Sequence, residues 1–196
     1  MPETEAFELE LDDELGQCYA DPLRYVLLVW PWGEPDSPLA KDTGPEPWQR
    51  DFLNDLGAAV RERDFDGDHP VMPIQMAIAS GNGSGKTAMA AWISHWLMDT
   101  RADCKLRVTA NTMHQLETAT WAGIQSWGER KLTADRWKIT SEAMYPPGDR
   151  ANWFCVPLSC KEENAQAFAG LHNRHSTTAF IFDEAMLESV LPSLTY

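Results

Sequence analysis

Basic residues, cysteine and long apolar runs are all scarce in this sequence. Only 16 lysines and arginines stand against 30 aspartates and glutamates in 196 residues. That balance argues against a stand-alone nucleic-acid-binding module, whose footprint is a basic patch. The four cysteines, Cys18, Cys104, Cys155 and Cys160, include no pair at two-residue spacing, and the histidines complete no metal set. A zinc knuckle and a redox dithiol are therefore excluded, which leaves ordinary reduced thiols. The opening MPETEAFELELDDEL holds seven acids and no base, the opposite of a secretory leader. The longest apolar run, YVLLVWPW at 25–32, is too short to span a bilayer. The expectation is a soluble, cytoplasmic chain with no membrane partner.

What is present suits a packed globular domain. Apolar residues make up 43% of the chain and nine of them are tryptophans, enough for a sizeable core. The charge is unevenly spread. Residues 1–69 hold 18 acids against 5 bases, whereas 70–196 hold 12 against 11, so the acidity belongs to the N-terminal third.

Read along the chain, residues 1–20 suggest an acidic, weakly structured arm. An entry segment follows over 21–69. In it, Tyr25 to Trp30 reads as a short buried strand, and a proline- and glycine-rich loop leads to a helix starting at Pro47. Trp48, Phe52 and Leu56 mark the apolar face of that helix. Residues 70–196 then alternate strand and helix signals. Ile74 to Ala79 reads as a strand, Lys86 to Met98 as an amphipathic helix, and Leu106 to Thr109 as a second strand. A helix with Leu116, Thr120, Ile124 and Trp127 facing inward comes next, then a surface excursion over 130–150. Trp153 to Leu158 and Ala179 to Phe182 are further strands. The order implies an α/β domain with a mostly parallel sheet flanked by helices.

The chemistry lies in Ser80-Gly81-Asn82-Gly83-Ser84-Gly85-Lys86-Thr87, followed by Ala88. Strand, glycine loop and helix come in the order of a P-loop, G-x-x-x-x-G-K-[ST], with Ser80 at the first glycine position. Glycines let successive backbone N–H groups turn inward and leave room for phosphate oxygens. The helix behind adds its positive end. Lys86 would reach the β- and γ-phosphates of ATP, and the Thr87 hydroxyl would ligate Mg²⁺. The apolar run Phe180-Ile181-Phe182 ends in Asp183 and Glu184, a Walker B pattern. Asp183 would hold Mg²⁺ and Glu184 would activate the attacking water, which points to an ATP hydrolase.

Several stretches together resemble the large subunit of tailed-phage terminases, the motor that packages viral DNA. They are the loop ASGNGSGKT, the segment RVTANTMHQLETATW at 107–121, AFAGLHNRH at 167–175 followed by FIFDEA, and the upstream VWPWGEPDSPL and GPEPWQRDFL. The resemblance implies a P-loop NTPase of the additional-strand, catalytic-glutamate type, with Gln49 reading the adenine through its donor and acceptor. It implies double-stranded DNA, a small terminase subunit and the portal of a procapsid as partners, and a homo-oligomeric ring in the full-length form.

The same resemblance implies more strands and a nuclease domain after Walker B, whereas Tyr196 lies twelve residues past Glu184. A domain incomplete on its C-terminal side, without the nuclease, is therefore expected, with an open sheet edge. Two alternatives stand beside the motor reading. One is another DNA-dependent P-loop ATPase such as a superfamily 2 helicase; the other is a non-catalytic nucleotide-binding remnant. Arg130, Lys131, Arg136, Lys138 and Arg174 read as a solvated face, with DNA contact or an arginine finger as the functional alternative. Trp92 and Trp96 read as core residues, and His172 and His175 as loop histidines.

Overall fold

The computed structural model describes residues 2–65, 69, 71–79, 81, 83–158 and 176–183, with side chains from residue 8 onward. Its helices are α1 (Pro2–Gln17), α2 (Pro22–Val29), α3 (Pro47–Arg63), α4 (Lys86–Thr100), α5 (Met113–Gln115) and α6 (Ala122–Gly128). A π-helical segment, Leu116–Trp121, joins α5 to α6, and a 3₁₀ turn spans Ala134–Arg136. The strands are β1 (Lys105–Ala110), β2 (Lys138–Ile139), β3 (Met144–Tyr145), β4 (Phe154–Pro157) and β5 (Thr178–Asp183).

They form one sheet in the order β2-β3-β4-β1-β5. β1 pairs in parallel with both β4 and β5, whereas β3 is antiparallel to β4 and β2 antiparallel to β3. The α/β class is as expected, but the sheet is mixed rather than mostly parallel. The difference comes from residues 130–150. Instead of a surface excursion they form the 3₁₀ turn and a short hairpin that extends the sheet, burying Trp137, Ala143 and Met144.

Two N-terminal expectations are also corrected. The acidic arm is the helix α1, with Leu11 and Leu15 one turn apart and, just past its end, Cys18, all buried against the core. Tyr25 to Val29 belongs to a helix rather than a strand, with Trp30 as its C-cap. Asp21 caps α2 by accepting from the Arg24 N–H at 3.0 Å, and Pro22 fills a first-turn position whose N–H would be unpaired anyway. Pro22, Tyr25, Val26 and Val29 then form a buried stripe of period 3.6. A short apolar run carries no period of its own; the cap in front of it decides.

α3 starts at Pro47 as expected, but its most buried stripe is Gln49, Leu53 and Gly57. Trp48, Phe52 and Leu56, one position earlier, are half-buried beside it. α4 is the central helix: Met89, Ala91, Trp92, Trp96 and Met98 are all buried, in line with the core role expected of Trp92 and Trp96. Around it Trp30, Trp32, Trp92 and Trp127 pack mostly edge to face, with Trp92 and Trp127 centroids 5.1 Å apart. Each such pair adds about 0.5–1.5 kcal/mol beyond the area it buries. The cluster fastens α2 and α6 to α4. One apolar core runs from Leu11 on α1 to Cys155 on β4.

The strand expected over Ile74–Ala79 is not formed. Residues 71–79 belong to no ladder; Met72 and Met76 are exposed and Ile78 is half-buried. A strand needs a neighbour to satisfy its backbone groups, and among the described residues β5 is paired on one side only, by β1. No helix among the described residues is long and apolar enough to cross a membrane.

Candidate functional site

The glycine loop enters α4 through backbone conformations that side chains resist. Gly83 has φ 74° and Gly85 φ 90°, both left-handed, and Gly85 is the N-cap of α4. Lys86 and Thr87 are therefore the first two helical residues, at the end of the helix whose N–H groups find no partner inside it and whose dipole is positive. The loop folds back on its own start. The Lys86 ammonium and the Ser84 hydroxyl both donate to the Gly81 carbonyl, each at 2.9 Å. Ala88 follows in the first turn; Ser80 and Asn82 lie outside the described residues, as do Glu184, Arg174, His172 and His175.

Gln49 reaches this loop from α3. It is buried, and its Nε2 donates to the Gly85 carbonyl at 3.3 Å while its Oε1 accepts from the Glu46 N–H at 2.8 Å. The second bond belongs to a capping box at the start of α3. Both ends of the amide are thus engaged within the protein.

Asp183 is the last residue of β5, level with Ala110 at the end of β1, so it sits at the C-terminal edge of the parallel strands. This is the edge where open α/β sheets place their ligands. Its Oδ2 accepts a 2.6 Å hydrogen bond from the Thr120 hydroxyl, in the π-helical segment. Three residues on, Gly123 lies so close to α4 that a Cβ there would sit 2.7 Å from the Thr87 methyl. The two residues expected to ligate a cation, Thr87 and Asp183, therefore both lie against one helical stretch, Asp183 bonded to it and Thr87 packed close to it. Sequence reasoning assigned Thr120 to a core stripe. Its polarity within an otherwise apolar inward face was the available signal.

Thr87 and Asp183 supply a hydroxyl and one carboxylate. Among the described residues no three His, Cys, Asp or Glu side chains gather to hold a metal. That donor set fits Mg²⁺ bound together with phosphates and water, and does not fit an all-protein cage.

A second polar cluster lies at the far end of α4. Asp99 accepts from Lys131 Nζ at 2.7 Å, from Thr133 Oγ1 at 2.6 Å and from Tyr25 Oη at 2.8 Å. Lys131 and Asp99 are almost wholly buried, with side chains 0% and 2% exposed, which overturns the reading of Lys131 as part of a solvated or DNA-facing surface. The other cations differ. Arg136 pairs with Asp12, Arg130 packs over the Trp127 ring and donates to Ser126, and Lys138 is exposed. Burial alone pushes the Asp99 carboxyl up, but Lys131 and Thr133 bring it below its ordinary value. Burial and the Asp99 charge raise the Tyr25 phenol well above its usual range. Nearby, His95 is buried with its Nε2 2.9 Å from the Ile124 carbonyl. Desolvation, and then the Lys131 charge, lower its pKa to about 3, so the ring is neutral.

Comparison with protein-family models, with curated proteins and with solved structures finds no match.

Proposed function

We propose that this chain is the ATPase part of the DNA-packaging motor of a phage or prophage, a terminase large subunit. It would hydrolyse ATP to drive double-stranded DNA into a procapsid in the host cytoplasm. The observation that carries the proposal is the placement of Asp183 and Thr87 against one helical stretch, at Thr120 and Gly123, with a left-handed glycine turn at the mouth of α4. An anion cradle beside a lone carboxylate is what a nucleotide triphosphate with its cation requires.

In this reading the backbone of residues 80–88 holds the phosphates and Lys86 leaves the Gly81 carbonyl for the β- and γ-phosphates. Thr87 and Asp183 hold Mg²⁺, which neutralises charge building on the phosphates. Glu184 orients the attacking water. Gln49 reads the adenine by exchanging its Gly85 bond for the base edge. The partners are double-stranded DNA, a small terminase subunit and the procapsid portal, with the chain working in a ring. A superfamily 2 helicase shares the loop, the Thr-Ala-Asn segment and the Asp-Glu pair, and strand separation would single it out.

A non-catalytic nucleotide-binding remnant is favoured by one observation: residues 71–79, ahead of the loop, have no ladder to brace them. The test is ATP turnover with and without double-stranded DNA, beside ATP binding, in the wild type, Lys86→Ala and Glu184→Gln. The motor reading expects binding in the wild type and in Glu184→Gln, turnover in the wild type alone, and neither in Lys86→Ala. Binding without turnover in the wild type would select the remnant, and no binding at all would overturn both readings.

A further inference from the structure

The π-helical segment raises a question of its own. Leu116–Trp121 is wound more widely than an α-helix, a form that is rare and concentrates at functional sites. Its entry is fixed by Thr112, whose hydroxyl accepts from the Gln115 N–H at 3.2 Å. At its exit the Ala122 N–H returns to the tighter i→i+3 pattern, bonding to Ala119. Leu116, Thr120 and Ile124 are fully buried along one line. Two of them are apolar, and the third spends its hydroxyl on Asp183 at 2.6 Å.

A helical threonine can return its hydroxyl to the carbonyl four residues back, as the exposed Thr118 does to His114 at 2.7 Å. Thr120 instead crosses to a strand 63 residues away in sequence. The next turn of the same stretch presents Gly123, where any side chain would collide with the Thr87 methyl at 2.7 Å. A helix whose residues 120 and 123 each touch one of two oxygen donors from separate elements sets the position of both.

We infer that Thr120 and Gly123 form a positioning platform for a divalent cation, Thr120 orienting the Asp183 carboxylate and Gly123 setting the rotamer of Thr87. Neither touches the cation. Thr120 holds one carboxylate oxygen, and a carboxylate has lone pairs to accept that bond and ligate at once. Gly123 leaves room for the Thr87 methyl, and a side chain at 123 would push that methyl aside and turn the hydroxyl on the same Cβ with it. The inference rests on the proposed nucleotide-binding reading and adds residues to it that the loop and Walker B patterns do not contain.

The experiment is ATP binding to the full chain, titrated with Mg²⁺ and repeated in EDTA, for the wild type, Thr120→Val, Thr120→Ser and Gly123→Ala. Circular dichroism melts check that each variant is folded. The expected result is that Thr120→Val and Gly123→Ala raise the half-saturating Mg²⁺ concentration about tenfold while metal-free ATP binding stays as in the wild type. Thr120→Ser, which keeps the hydroxyl, restores the wild-type value. A merely structural role for Thr120 would lower the melting temperature and move the Mg²⁺ and EDTA curves together, and that would overturn the inference. So would an unchanged Mg²⁺ requirement in Thr120→Val or, should that variant fail to fold, in Gly123→Ala, which adds no polar group. A wild type that binds no ATP under either condition would instead remove the nucleotide reading on which the platform depends.

Discussion

Gln49 on α3 donates its side-chain amide to the carbonyl of Gly85, the residue that caps α4, across 36 positions of sequence. The same carbonyl accepts the Met89 N–H at 3.1 Å, so the amide grips the first turn of the loop's own helix. Truncating Gln49 removes this grip and half of the capping box at once. A buried hydrogen bond left half-made costs about 1–3 kcal/mol. Gln49→Ala is therefore expected to weaken ATP binding about tenfold or more, and ATP more than GTP, because the amide that leaves Gly85 also reads the adenine edge. Competition binding with the two nucleotides checks this. An equal loss for ATP and GTP would mean that the amide stays on Gly85 and does not read the base.

The Asp99–Lys131 pair predicts a different kind of loss. Removing one partner of a buried ion pair strands the other charge, at a cost of about 3–5 kcal/mol. Lys131→Met is expected to destabilise the chain by that amount in urea unfolding. Replacing both residues, Asp99→Leu with Lys131→Met, should recover much of it, because no charge is then left without a partner. A double variant as unstable as the sum of the singles would show that Tyr25 and Thr133 depend on Asp99 as much as Lys131 does.

How far the sequence discloses this structure differs from element to element. The glycine loop and the helix after it were legible because both signals are local: left-handed backbone asks for glycine, and α4 buries its apolar positions wherever they fall. Tyr25 to Trp30 misled because six apolar or aromatic positions in a row suit strand and helix equally, and only Asp21 and Pro22 in front distinguish them. Lys131 was illegible, since nothing within its own stretch announces Asp99, which lies 32 residues earlier on α4. The Thr120–Asp183 bond was illegible for the same reason. The strand over 74–79 failed because a ladder is a property of two segments, and periodicity reports on one.

Acid should unfold this protein through His95 and Asp99. The His95 ring has a pKa of about 3 in the folded chain against an ordinary value of 6.5, so the unfolded state binds its proton first. Stability is full above pH 6.5 and is lost as pH falls from there toward 3, by up to about 1.4 kcal/mol per pH unit for this one group. Asp99, also held below its ordinary value, adds to the loss at the acid end of the range. His95→Gln keeps a donor for the Ile124 carbonyl but cannot charge. The urea midpoint of the wild type should therefore fall more steeply than that of His95→Gln between pH 6.5 and pH 4. Parallel curves would mean that the ring finds a partner for its charge.

The glycines of the loop are not equivalent, and alanine at each separates their roles. At Gly81 the backbone is not left-handed and an added Cβ meets nothing within 4 Å. Gly81→Ala should therefore leave the melting temperature nearly unchanged, and any effect should fall on phosphate binding, where the methyl would crowd the anion. At Gly85 the left-handed φ of 90° already strains any side chain, and the Cβ would lie 2.7 Å from Gln49 Nε2. Strain of this kind costs on the order of 1–3 kcal/mol, and relieving the clash means expelling Gln49 from its place under the loop. Gly85→Ala should then lower both the melting temperature and nucleotide affinity. Combining it with Gln49→Ala should cost less than the two changes added together, because the first change has already displaced the amide that the second removes. Full additivity in a double-mutant cycle would show that Gln49 and Gly85 act independently.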